Sequence, residues 1–140
     1  MAALLNDLGE EYTVKNTLEA TFTIGLYNDG TDAFADTEDL ADITTEPTDG
    51  NYARQSAAFS AADVSGGWQS DNDAGITFDV TNTTGTVDAY FILATFTAVD
   101  TGDGGATTHV IATGLLSQSR DLSQIDTLNL AAGSVGISLA

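Results

Sequence analysis

Acyl-transfer chemistry needs a nucleophile, a base within reach and a group to orient that base. This chain offers one histidine, His109, for the second role. No Gly-x-Ser-x-Gly elbow accompanies it, and His109 opens "HVIATGLL", a run of strand character, so no catalytic role is assigned to it. Carboxylates are the other reactive stock, in "DTEDLAD" (Asp36–Asp42), "DND" (Asp71–Asp73) and "DTGD" (Asp100–Asp103). Calcium gathers several oxygen ligands, which makes Asp71, Asp73, Asp100 and Asp103 weak candidates for it. None of the clusters has the EF-hand spacing with its closing glutamate, and solvated loop charge is the better reading. With no cysteine there is neither a disulfide nor a thiolate metal site. The single tryptophan, Trp68, would be a lone sugar platform, whereas a glycosidase pairs its carboxylates across a cleft lined with aromatics. "GSVG" (Gly133–Gly136) lacks the lysine-bearing helix of a phosphate loop, and "NTT" (Asn82–Thr84) is a glycosylation pattern short enough to arise by chance. No catalytic residue, cofactor or resident metal is expected, and no enzyme.

Another candidate is "NYARQ" (Asn51–Gln55), which holds one of only three basic residues among 21 acids, for a net charge of −18. Tyr52 and Arg54 follow a glycine turn. If a strand starts at Tyr52, alternation puts Tyr52, Arg54 and Ser56 on one face and Ala53, Gln55 and Ala57 on the other. An arginine in so acidic a chain most economically pairs with a carboxylate and stacks on an aromatic ring. The favoured role is to pin the preceding acidic loop; a contact to a neighbouring subunit is the alternative.

The elements that must position these residues are mostly strands. Ala2–Leu18 reads as a helix with a stripe of Leu4, Leu5, Leu8 and Tyr12, which the rest of the fold or another subunit must cover. From Thr21 the period changes to two, and "TFTIGLY" (Thr21–Tyr27) is a half-buried strand. Asn28–Gly50 is a long acidic loop between the turn signals "NDG" and "PTDG". Further strands are expected at Tyr52–Phe59, Gly75–Thr81, Val87–Thr97, His109–Leu116 and Thr127–Leu139, the last broken near Ala132-Gly133. The fold class is therefore mainly β: an antiparallel, jelly-roll-like β-sandwich over residues 21–140, preceded by one N-terminal helix over 1–18, in a single domain of 140 residues. Phe22, Ile24, Leu26, Phe78, Val80, Phe91, Leu93, Val110 and Leu130 are the expected core.

Charge excludes some partners. A chain this acidic is repelled by nucleic-acid phosphate. The N-terminus lacks a basic leader, and the longest apolar run, Ala89–Val99, is too short to span a bilayer, so no signal peptide and no membrane insertion are expected. Most acids are Asp, and lysine occurs once, a balance that suits a surface bathed in molar salt.

In chain order, "LLNDLGEEYTVKNTL", "IGLYNDG", "GNYARQSAAFS", "GITFDVTNTTGTVDAYFIL", "ATGLLSQSRDL" and "DTLNLAAGSVGISL" cover nearly the whole sequence. In this order they resemble a family of small structural proteins of tailed viruses, labelled tail-fibre-like or virion-decoration proteins. Relatives place Gly-Asp before the "TLNL"-like strand, where this chain has Ile125-Asp126, so the local turn differs. The resemblance implies a virion component made in the host cytoplasm, acting by assembly on the capsid as decoration or turret, or at the tail as fibre or adaptor. Its partners would be other virion proteins and a host cell surface. Together with the acidic surface, it suggests a virus of haloarchaea. Repeated copies are expected, as a homo-trimer or homo-pentamer, with the helix stripe or the C-terminal strand at the contact. The alternative is a secreted or cell-surface carbohydrate-binding β-sandwich, against which the missing leader and lone tryptophan count.

Overall fold

The structure, a computed structural model, describes residues 6–65, 67–98 and 102–139. It is mainly β, with antiparallel strand pairs and one leading helix. The chain forms two compact units: Met1–Phe22 with Ser56–Ile76 and Asn129–Ala140, and Thr23–Gln55 with Thr77–Leu128.

In the first unit, α1 (Asp7–Thr13) is capped by Asn6, whose side-chain oxygen accepts from the Gly9 amide at 2.9 Å. The helix widens into a π-turn over Val14–Leu18. Thr13, Asn16 and Thr17 each donate a side-chain hydrogen bond to the carbonyl four residues back, competing with the α-helical pattern there. The expected stripe is partly outside the described residues, since Leu4 and Leu5 precede them. Leu8 and Tyr12 are exposed, at 74% and 70%, and the side chain that the helical segment buries is Val14. Strands β2 (Gln55–Val64) and β3 (Gly67–Asn72) form an antiparallel pair, and β8 (Gly136–Ser138) adds to the far side of β3. Phe22 meets Phe59 edge-on at 5.4 Å, and Val14, Ala57, Ile76 and Val135 are buried in the same unit. Buried Asn72 donates to the carbonyls of Ala74 and Ala131 and accepts from the Val135 amide, so neither its amide nitrogen nor its oxygen is left without a partner.

The second unit is built on β1 (Thr21–Tyr27, from Thr23 onward), β5 (Thr86–Phe96) and β6 (Thr107–Asp121). β5 pairs antiparallel with both neighbours, and β6 is the outermost strand. β5 is buried without interruption from Ala89 to Leu93, because both faces are covered. Ile24, Leu26 and Ile92 take one face. Tyr27, Ala89, Phe91 and Leu93 take the other, where Phe34, Leu40, Ile43 and Val110 pack on them. Three of those four covering residues come from the acidic segment, which is thus no simple solvated loop. It contains a short helix, α2 (Asp29–Asp32), and a 3-10 turn at Leu40–Asp42. Gly25 explains itself here: a Cβ on it would stand 2.1 Å from Cζ of Phe91, its cross-strand partner. β4 (Ile76–Asp79) and β7 (Thr127–Leu130) complete the strands, and the amide of Val80 donates to the Asp126 carbonyl.

Several expected boundaries move. The strand expected from Tyr52 begins at Gln55 and runs on to Val64, so Tyr52 and Arg54 stand in the lead-in and not on a strand face. Trp68 lies in β3, a strand that is not among those expected. Val110 and Leu130 are only partly buried, whereas the other seven expected core residues are buried.

Candidate functional site

Most of the chemistry-bearing side chains of the second unit converge on the segment between Asn28 and Gly50. At one place Glu46 receives both residues of "NYARQ". Arg54 forks onto it, Nε to Oε1 at 2.8 Å and Nη2 to Oε2 at 2.7 Å, and the Tyr52 hydroxyl donates to Oε1 at 3.0 Å. The same hydroxyl accepts the Leu26 amide of β1 at 2.8 Å, while the Tyr52 ring stacks on Phe78 with 6.0 Å between centroids. The arginine lies over the ring of Phe91, 5.4 Å from its centroid, and not over Tyr52. Burial foremost pushes the Tyr52 hydroxyl well above its ordinary pKa, so it stays protonated and able to donate. The Glu46 hydrogen bond raises the Arg54 pKa further.

At another place His109 is buried between two carboxylates. Nδ1 donates to Asp39 and Nε2 to Asp103 at 2.7 Å; the Thr107 hydroxyl also reaches Asp103, at 2.8 Å. The Thr107 hydroxyl lies 2.7 Å from Nε2 as well. Ionised carboxylates only accept, so both carboxylate contacts favour the doubly protonated ring. The Asp39 contact, then the Asp103 contact, raises its pKa against the opposing effect of burial. Both ring nitrogens are thus engaged by side chains of the fold. Asp39 itself heads the 3-10 turn, and its Oδ1, the oxygen not on His109, accepts from the Leu40 amide at 2.7 Å and from the Val110 amide of β6 at 2.8 Å. Burial would raise the Asp39 pKa, but His109 and the two amides outweigh it and hold it below the usual value.

Elsewhere in the unit the pattern repeats. Asp32 accepts from the amides and hydroxyls of both Thr44 and Thr45. Burial pushes its pKa up, and these four donors more than offset that. Asp88 accepts from the amides of Asp29 and Gly30, and Asp49 from the amide and hydroxyl of Thr84. Gly50, beside Asp49, has φ of 61°, and a Cβ on it would lie 2.4 Å from the Asn82 backbone carbon. Composition marks these acids as surface charge, yet many serve as acceptors for backbone donors. Only the spacing of Phe34, Leu40 and Ile43 hints in the sequence that the segment is anchored.

The calcium candidates do not assemble. Asp71 accepts both of its contacts from Gln69 in the first unit, Asp103 is committed to His109 in the second, and Asp100 lies outside the described residues. Among the described residues no cluster of three metal-ligating side chains occurs. Trp68 is half-buried, and the Lys15 ammonium sits 5.8 Å from its ring centroid while pairing with Glu11.

What the unit presents is a folded acidic segment fastened to strands, the construction of a structural part. A family model described as "Gp80: Podophage GP4 fiber I protein gp80" matches residues 4–138. The chain belongs to this family. No curated protein and no solved structure matches it. Membership of the Gp80 fibre family makes the chain a virion structural protein of a tailed virus, associated with other virion components. Of the two placements implied by the resemblance, tail fibre is the one the family description supports. No helix among the described residues is long and apolar enough to cross a membrane.

Proposed function

We propose that this Gp80-family protein is a tail-associated fibre or adaptor component of a virus whose host lives in concentrated salt, and that it acts by assembly, not catalysis. The family match over residues 4–138 carries the reading. The geometry supports it: the one histidine is held between carboxylates, and many acids of the second unit accept from backbone amides. The protein works as a homo-oligomer, a trimer or pentamer, and the exposed Leu8 and Tyr12 of α1 belong to its contacts. Attachment to other tail proteins and to the host surface follows from such a position. The halophilic host is read from 21 acids against three basic residues with a single lysine.

Antibody raised against the protein and imaged on purified particles tests the placement. Label at the tail is expected. Label confined to the capsid shell would overturn the tail reading in favour of decoration.

A further inference from the structure

The outer half of β6 differs in charge from the rest of the chain. The longest stretch without Asp or Glu runs from Gly104 to Arg120 and includes most of this strand. Lys15 pairs with Glu11 and Arg54 with Glu46. Arg120 has no carboxylate partner among the described residues. With the Gln118 carboxamide oxygen turned toward it, that oxygen accepts from Nη1 at 2.7 Å and Nη2 at 2.8 Å, which leaves the guanidinium held but its charge uncompensated. In a chain of net charge −18 this is unusual placement. Leu115, five residues before it, is 70% exposed.

The backbone of β6 divides in the same way. Its first half is closed at the outer edge by Asp39, which takes the Val110 amide. In the second half the register against β5 shifts between Ala89↔Leu115 and Val87↔Arg120, so Leu116–Ser119 bulge out of the ladder. Such a bulge discourages simple strand-to-strand extension, and points to a side-chain docking surface in its place. Charge complementarity says what would dock. An acid-free edge with one unneutralised arginine and a bare leucine fits a helix with a bare apolar stripe and a carboxylate on the adjoining row, and α1 has those features: Leu8 and Tyr12 exposed one turn apart, with Asp7 on the row beside them and Glu11, one turn on, already paired with Lys15.

We infer that the Leu115–Arg120 edge of β6 is a subunit contact that receives helix α1 of a second copy of this chain, Arg120 meeting Asp7 and Leu115 the apolar stripe. The contact joins two different surfaces, so it is heterologous, and in the trimer or pentamer proposed above it closes into a ring. This inference rests on the proposal that the protein assembles from repeated copies.

The test is sedimentation equilibrium in concentrated NaCl of the full chain, with circular dichroism confirming that each variant folds. The wild type is expected to exceed the mass of the 14.4 kDa chain. Arg120→Glu and, separately, Leu115→Ser are each expected to weaken association at least tenfold. Asp7→Arg on the helix should do the same, and combining it with Arg120→Glu should restore association at least tenfold over either parent. A monomeric wild type would overturn the self-assembly reading and this contact together. A wild-type oligomer that Arg120→Glu and Leu115→Ser leave intact would overturn the contact alone. Loss with Arg120→Glu that the reversed helix fails to restore would overturn α1 as the occupant.

Discussion

His109 sits between Asp39 and Asp103, with Thr107 on Asp103 and the Phe96 ring 5.0 Å away, and its pH dependence has a definite sign. The folded-state pKa is raised above the ordinary 6.5, so the stabilisation is fully present below about pH 6.5 and is lost as the pH climbs through the higher folded value. Asp39 behaves oppositely. Its pKa is lowered from 3.8, so its contribution is present above that pH and is lost as the pH falls through the lower folded value. Thermal unfolding of the wild type should therefore drop in temperature as the pH rises beyond 6.5, and His109→Gln should flatten that slope. A variant with the wild-type slope would show that the ring is not held as a cation. Tyr52 gives a second residue-level expectation. Tyr52→Phe keeps the stacking on Phe78 but leaves the Leu26 amide without its acceptor, which should cost about 1–3 kcal/mol by urea unfolding. A loss within a few tenths would mean that water replaces the hydroxyl.

At the scale of elements, the strand that reads most plainly is β1, whose observed bounds, Thr21–Tyr27, are those the alternation predicts. Its glycine carries a consequence: Gly25→Ala forces a methyl to within 2.1 Å of the buried Phe91 ring, and overpacking of that kind should cost about 1–3 kcal/mol. A near-neutral effect in chemical unfolding would mean that Phe91 can move aside. β3 was not legible, because Gly67-Trp68-Gln69-Ser70-Asp71-Asn72 has turn-forming residues and no alternation; its existence depends on β2 and β8 pairing with it. β2 starts three residues later than its sequence suggests, since Tyr52 and Arg54 turn toward Glu46 before the ladder begins. The helix stops being α-helical at Val14 for a reason local sequence does contain, the hydroxyl and amide groups of Thr13, Asn16 and Thr17, but propensity sums do not weigh it. Of the candidate site, the arginine–tyrosine pair was visible as an oddity of charge. The Asp39–His109–Asp103 arrangement was not, because its members lie up to 70 residues apart and only the fold brings them together.

For the whole molecule, magnitudes decide what salt can do. A folded chain of this mass exposes roughly 7,000 Å², so its 21 acids would average about 18 Å apart. The Debye length is about 10 Å at 0.1 M salt and about 3 Å at 1 M, so average repulsion is already largely screened in ordinary buffer. Uniform charge therefore cannot make the fold itself depend on molar salt. Two situations differ. Asp36, Glu38, Asp39 and Asp42 lie within seven residues, but Glu38, Asp39 and Asp42 accept backbone amides and Asp39 also faces the His109 cation, which offsets part of their repulsion inside the fold. Contacts between copies have less of that compensation, because Lys15 and Arg54 are paired internally and Arg120 alone must offset the many carboxylates that both copies bring together, so the net interaction across the contact stays repulsive. Dilution from molar salt to about 0.1 M should therefore separate the subunits before it unfolds them. Sedimentation and circular dichroism followed along one salt titration make the comparison. The mass should fall to that of the 14.4 kDa chain while the β-signal persists. Collapse of the β-signal with the assembly still intact would mean that the cluster repulsion inside each subunit, and not the contact between subunits, sets the need for salt.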